Sequence, residues 1–229
     1  TEIYTLSLHD ALPILNDIDL TTECLPGGDY YYFGQGWIPI GNNTDKFMGQ
    51  FDGNGKKISG LNINRNTHYQ GLFGYAESSQ IINLGLENVS IAGGHNCGGL
   101  IGYLSTGSLI NYCYVHGTVQ GAFYTGGVAG YSRSTLRNFH TSGSVTGSLD
   151  TGGLVGYVSN VSAIISGCHS NATVYGGSTS GGLIGYCRGS VLKSFATGSV
   201  TGTSETGGLI GNATTGSSEI GRASCRERV

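Results

Sequence analysis

The chain has 229 residues, 42 of them glycine, and only 11% are charged, with 11 Lys and Arg against 14 Asp and Glu. Such a balance excludes the basic stripe of a nucleic-acid binder, and no apolar run approaches the eighteen or so residues of a membrane span. The six cysteines lack CxxC spacing, and neither HExxH nor GxSxG occurs, so a zinc site, a dense disulfide framework and a hydrolase elbow are not expected in this segment.

The two ends are read together. Back-translation of Glu219–Val229 (EIGRASCRERV) gives a DNA whose opposite strand, read one base in, encodes TLSLHDALPI, the sequence of Thr5–Ile14. One short DNA resembling a common sequencing adapter accounts for both ends. Residues 1–14 and 219–229 are therefore expected to be artefactual and the protein a fragment, with its signal peptide unobservable. Between them, eight Lys and Arg face ten Asp and Glu.

Residues 15–69 form a lead-in. Asp17 and Asp19 alternate along a strand-like run, as charged gatekeepers on an edge strand would. "FDGNG" (Phe51–Gly55) carries the Asp-Gly and Asn-Gly signatures of a tight turn. A calcium loop would need more oxygen ligands than this stretch supplies.

Residues 70–218 repeat. "QGLFGY" at Gln70 returns as "GGLIGY" at Gly98, "GGVAGY" at Gly126, "GGLVGY" at Gly152, "GGLIGY" at Gly181 and "GGLIGN" at Gly207, with a period of 26–29 residues. Two further β-type runs follow each motif, such as "LINYCYV" and "GTVQG", and Gly, Ser and Thr punctuate the joins. A strand of about five residues cannot bury its apolar face inside so short a unit, but stacked coils can. The pattern predicts an all-β parallel β-helix (β-solenoid) with three short strands per coil. Leu84, Cys113, Phe139, Cys168 and Phe195 are read as one inward column, three residues after Ile81, Ile110, Leu136, Ile165 and Leu192. Ile91, Val119, Val145, Val174 and Val200 form another. Cys113 and Cys168, two coils apart, would lie about 9–10 Å from each other, beyond disulfide reach, and serve as buried fillers. In the motif itself the paired glycines are expected at the corner, with Leu154 and Val155 opening a strand and Gly156 permitting close backbone approach.

The repeated "GGLIGY…INYCYVHGTVQG" and "GGLVGY…ISGCHSNATVYG", preceded by "NDIDL", "WIPIG" and "FMGQFDGNGKKISGLNI", resemble the GLUG-motif repeats of bacterial surface proteins. Val128, Ala129 and Asn212 depart slightly from that pattern. The resemblance implies a large secreted or cell-wall-attached parent, adhesin-like or the non-catalytic upstream region of an IgA-type metallopeptidase.

Candidate chemistry is sparse. His140 and His169 occupy equivalent positions about 5 Å apart, but the adjoining copies place Tyr114 and Ala196 there and offer no third metal ligand. Arg133, Arg137, Arg188 and Lys193 are read as scattered over several coils, without carboxylate partners for a lyase-type centre. Hydroxyls at Thr118, Ser144, Thr146, Thr173, Ser199 and Thr201 could order water, but Gln120 and Tyr175 interrupt the array. The best candidate for binding is the column Tyr75, Tyr103, Tyr131, Tyr157 and Tyr186, either a platform for sugar rings or a self-stacking edge. No catalytic, metal-binding or cofactor-binding set is expected. The expected partners are a surface glycan or a host or cell-surface protein, with end-to-end self-association of the solenoid, no nucleic acid and no membrane insertion. The sequence thus predicts a non-enzymatic, extracellular stalk or adhesive surface; the alternative is the β-helical part of a secreted peptidase or polysaccharide-processing enzyme.

Overall fold

Runs of two to seven residues cannot satisfy their backbone groups alone, so each must pair with its equivalent one repeat away. The protein, seen in a computed structural model, is described over residues 13–214, together with the backbone of Glu219–Ile220. Of the segments expected to be artefactual, Pro13, Ile14 and the Glu219–Ile220 backbone are described, and the Ile14 amide donates to the Asp52 carbonyl at 3.1 Å; the remainder of 1–14 and 219–229 falls outside the described residues. Strands pair in parallel with their equivalents above and below, in three sheets of fourteen, six and five strands. The chain is an all-β parallel β-solenoid, and its register steps are the repeat period: Phe73, Ile101, Ala129, Val155, Ile184 and Ile210 stand over one another.

The six-stranded sheet comprises Phe73–Ala76, Ile101–Leu104, Ala129–Ser132, Val155–Val158, Ile184–Cys187 and Ile210–Ala213. The five-stranded sheet is made by the residues that open each motif, from Cys97–Gly98 and Thr125–Gly126 to Glu205–Gly207. It adds a fourth short run to the coil. The fourteen-stranded sheet starts as the long strands Gln50–Ser59 and Gln80–Ala92, then divides in later coils into pairs such as Tyr114–Gln120 with Leu109–Asn111. The division falls at a column of left-handed residues: Asn83, Tyr112, Asn138, Gly167 and Lys193, with φ of 49–65°. Asn and Gly accept this conformation readily, whereas Tyr112 and Lys193 bear a cost of about 1 kcal/mol each.

Inward columns make the core. Ile81, Ile110, Leu136, Ile165 and Val191 stack in register and are buried, as are Ile91, Val119, Val145 and Val174. Leu84, Cys113, Phe139 and Cys168 are buried too. The last coil corrects the sequence alignment by one residue. Val191, not Leu192, continues the first column, and Phe195 pairs with His169, 40% exposed, rather than following Cys168 inward. Ser194 takes the inward place, its Oγ accepting from the Cys168 amide at 3.1 Å. A polar residue at the core position had hidden the register.

"FDGNG" departs from the expected turn as well. It is a bulge inside Gln50–Ser59, where the register with Gln80–Ala92 shifts between Asp52 and Lys56. Asn54 and Gly55 are left-handed, and Asp52 Oδ1 accepts from the Asn54 amide at 2.8 Å and from Asn83 Nδ2 at 3.1 Å. Turn chemistry is used, but the continuous neighbouring strand keeps the chain in the sheet.

At the motif, Asp150–Gly152 ends one strand, Gly153 and Leu154 turn the corner, and Val155–Val158 begins the next. Space, not positive φ, demands glycine here: a Cβ on Gly156 would sit 2.5 Å from the Thr125 nitrogen and 2.6 Å from the Gly130 oxygen. The lead-in covers the first coils with large side chains. Trp37 is fully buried, its Nε1 donating to the Leu72 carbonyl at 3.4 Å, and Phe47 and Phe51 pack on Phe73 with ring centroids 4.7 and 5.3 Å away.

Candidate functional site

In-register stacking converts any residue repeated at one motif position into a continuous row. Tyr75, Tyr103, Tyr131, Tyr157 and Tyr186 form such a row, half-buried, ending at Asn212. Tyr75, Tyr103 and Tyr131 stack face to face, with centroids 4.5 and 4.6 Å apart at 23° and 7°. Tyr131, Tyr157 and Tyr186 meet edge to face, at 5.1 Å and about 70°. Two tyrosines outside the predicted column join it. Tyr69 lies against Tyr75 and Tyr103, and Tyr124 stacks on Tyr157 at 5.5 Å while meeting Tyr131 edge-on. Both are left-handed, at φ of 62° and 57°, which swings their rings toward the row from the position just before Gln70 and Thr125.

Two residues beyond each motif tyrosine lies a second row, Glu77, Ser105, Arg133, Ser159, Arg188 and Thr214, exposed at the arginines and buried at Ser105, whose Oγ donates to Glu77 Oε1 at 2.9 Å. Each amide donates to the coil before it, or for Glu77 to the lead-in. Arg133 and Arg188, read from sequence as scattered, therefore share one row, whereas Arg137 and Lys193 belong elsewhere. Their common offset from Tyr131 and Tyr186 was the available signal. The exposed Arg133 guanidinium sits against the Tyr103 hydroxyl, and that of Arg188 against Tyr157. Burial, with Tyr131 and Tyr75 adding to it, pushes the Tyr103 hydroxyl up to about 12, and Arg133 pulls the other way. At the lead-in end Lys46 lies 5.2 Å from the Tyr75 ring centroid and pairs with Glu77 at 2.8 Å.

The opposite register position of the fourteen-stranded sheet carries the histidines. His140 and His169 pair in register with centroids 4.0 Å apart, and the row reads Tyr114, His140, His169 and Phe195, so Phe195 replaces the Ala196 expected there. His116, which sequence reasoning passed over, meets His140 edge-on at 5.1 Å. Burial first, then His169 and His116, pushes the His140 imidazole down to about 4, and burial lowers His169. Among the described residues these imidazoles do not converge as a ligand set. A second stack, His68 on His95 on Phe123, uses each Nδ1 to accept a backbone amide of the next coil, at 3.0 and 3.3 Å. Both sets are cross-coil aromatic contacts.

Asp19 accepts from the Thr21 amide at 2.9 Å and Asp17 from the Lys57 amide at 3.0 Å, so each carboxylate is occupied by backbone. The hydroxyls of Thr118, Ser144 and Thr173 align in one row, while Gln120, Thr146, Tyr175 and Thr201 form the next, a mixture of shapes without a flat array. The five cysteines among the described residues are free and buried; burial pushes the Cys113 and Cys168 thiols up to about 12.

These features define a parallel β-solenoid repeat segment with one mixed tyrosine–arginine face. No family model matches the chain. Over 75 residues it is 44% identical to a "Putative Gly-rich membrane protein" of Evansella cellulosilytica, covering 32% of this chain and 8% of that protein. Over 70 residues it is 40% identical to "Halomucin" of Haloquadratum walsbyi, covering 28% of this chain and 1% of that one. The chain therefore spans a small part of both relatives. Among solved structures, a "putative immunoglobulin A1 protease" from Bacteroides ovatus superposes with a TM-score of 0.58, covering 94% of this chain and 78% of that one at 15% identity. At that identity the likeness is one of fold.

Proposed function

We propose that this chain is a non-enzymatic segment of a larger extracellular bacterial protein, acting as a rigid stalk and as a multivalent adhesive surface. The observation that carries the reading is the parallel register of the motif strands: each stacks on its equivalent from coil to coil, so the segment is a repeating body on which a group such as the motif tyrosine recurs in one row. Weak contacts repeated along such a body add through effective concentration. The names of the two relatives, a Gly-rich membrane protein and a halomucin, support a surface setting, as does the resemblance to GLUG repeats. Small-angle X-ray scattering tests the stalk: its maximum dimension should grow by about 4.8 Å for each coil inserted in tandem. An unchanged dimension would reject it.

A second reading is favoured by the solved structure. Its immunoglobulin A1 protease name supports this chain being the β-helical, non-catalytic part of a secreted peptidase. The flanking reading frame separates the two: a downstream domain bearing HExxH favours the peptidase, and a wall anchor or further repeats favour the stalk.

A further inference from the structure

We infer that the tyrosine–arginine face binds an extended acidic polysaccharide carrying a carboxylate on every second sugar, lying along the solenoid axis. The inference rests on the adhesive reading above and gives it a ligand class.

Geometry narrows the chemistry in three steps. A sugar that stacks on tyrosine needs an open ring face, but Tyr75, Tyr103 and Tyr131 cover one another's faces at 4.5–4.6 Å. What the row offers outward is ring edges and hydroxyls, which recognise polar groups rather than apolar sugar faces. Charge comes next. Arg133 and Arg188 are exposed, lie in one row, and form no ion pair among the described residues. Each guanidinium has more donors than its tyrosine contact uses, and guanidinium forks match carboxylates in a way that ammonium groups do not. Two exposed cations thus lie on the face that carries the hydroxyl row, between Glu77, which Lys46 pairs and Arg133 also attracts, and Glu205, which accepts from Asn212 at the far end of the row.

Spacing comes last. Tyr103 with Arg133 and Tyr157 with Arg188 repeat the same pairing two coils apart, about 10 Å along the axis. The intermediate pair of the same two rows is Tyr131 with Ser159. An extended β-linked pyranose chain advances by roughly one coil spacing per sugar. A polymer alternating a uronate with a neutral sugar would therefore set a carboxylate at each arginine and a neutral sugar at the serine between them. Glu77 closes the row at the lead-in end, where Lys46 holds it, so the acceptor run extends from Tyr103 toward Tyr186.

The test is binding of hyaluronan oligosaccharides, which alternate uronate and N-acetylglucosamine, to the intact chain by calorimetry or interferometry. Neutral cello-oligosaccharides of equal length are the comparison. We expect binding to hyaluronan only, weakened about three- to ten-fold by Arg133→Gln or Arg188→Gln alone and lost in the double variant. Added salt should weaken it further. Arg137→Gln, exposed in a different row, should leave it unchanged. Tyr157→Phe, which keeps the ring, should weaken binding less than either arginine change. No hyaluronan binding, equal binding of the neutral chain, or indifference to both arginine changes would overturn the inference. Scattering on the same samples separates the two proposals. An elongated wild type that binds nothing defeats only the acidic ligand, whereas a compact particle defeats the stalk itself.

Discussion

The lead-in and the repeats solve the same burial problem with opposite materials. Around residues 30–51 the interior is filled by a few large side chains: Trp37 against Tyr30 at 4.9 Å, and Phe47 and Phe51 on Phe73. From Gly98 onward it is filled mainly by rows of medium aliphatics, cysteines and serines, joined by Phe139, and backbone approaches backbone so closely that corners admit only glycine. The difference follows from repetition. A repeat coil is flanked by copies of itself and is filled by small, in-register rows, whereas the lead-in lacks the motif and fills the space against the first repeat with bulk.

Substitutions can probe that contrast. Trp37→Ala should have the largest effect, removing about 3–5 kcal/mol of stability; thermal unfolding followed by circular dichroism should show the whole stack melting earlier, since the first coils template the rest. If only a minor early transition appeared, the lead-in would be an accessory and not an integral part of the stack. Gly156→Ala should follow, at about 1–3 kcal/mol, because its methyl group would press on the Thr125 and Gly130 backbones. The same change at Gly55, whose Cβ would meet nothing within 4 Å, should act only through its left-handed φ of 72° and cost less, about 1 kcal/mol.

Acid should then act on the repeats more than on the lead-in. The folded-state pKa of His140 is depressed to about 4, below its ordinary 6.5. The unfolded chain therefore binds the proton more readily, so stability is fully present above pH 6.5 and is lost as the pH falls toward 4. His140→Phe, which keeps an aromatic ring between Tyr114 and His169, should flatten the melting temperature between pH 6.5 and 4.5. The hydrogen-bonded carboxylates Glu77 and Glu87, whose pKa values lie below 4.5, should dominate only at lower pH. An unchanged pH profile in the variant would remove the histidine explanation. The smallest effect belongs to the two ion pairs: Lys57→Ala, which breaks the 2.9 Å contact with Glu87, should leave the melting temperature within error.

Much of this protein was legible because repetition carries three-dimensional information along one dimension. The period, the inward rows, the buried cysteines and the tyrosine row all follow from aligning "GGLIGY" with its copies, since equivalent residues in a solenoid must stack. Alignment failed where a core position turned polar, as at Ser194, and where two residues were inserted without breaking the strand, as at Asn54 and Gly55. It also overlooked rows occupied in only some coils. Arg133 and Arg188 are two members of a row otherwise filled by Glu, Ser and Thr, and Tyr69 and Tyr124 are two members of another. Which way a half-buried ring turns was never in the sequence. Face-to-face stacking at Tyr103 and edge-to-face contact at Tyr157 depend on neighbours such as Tyr124, brought there by a left-handed backbone. The sequence determined the stack because hydrophobic burial requires like over like. Only the tertiary structure decided what its outer faces offer, because side-chain direction and partnership are settled between coils and not within them.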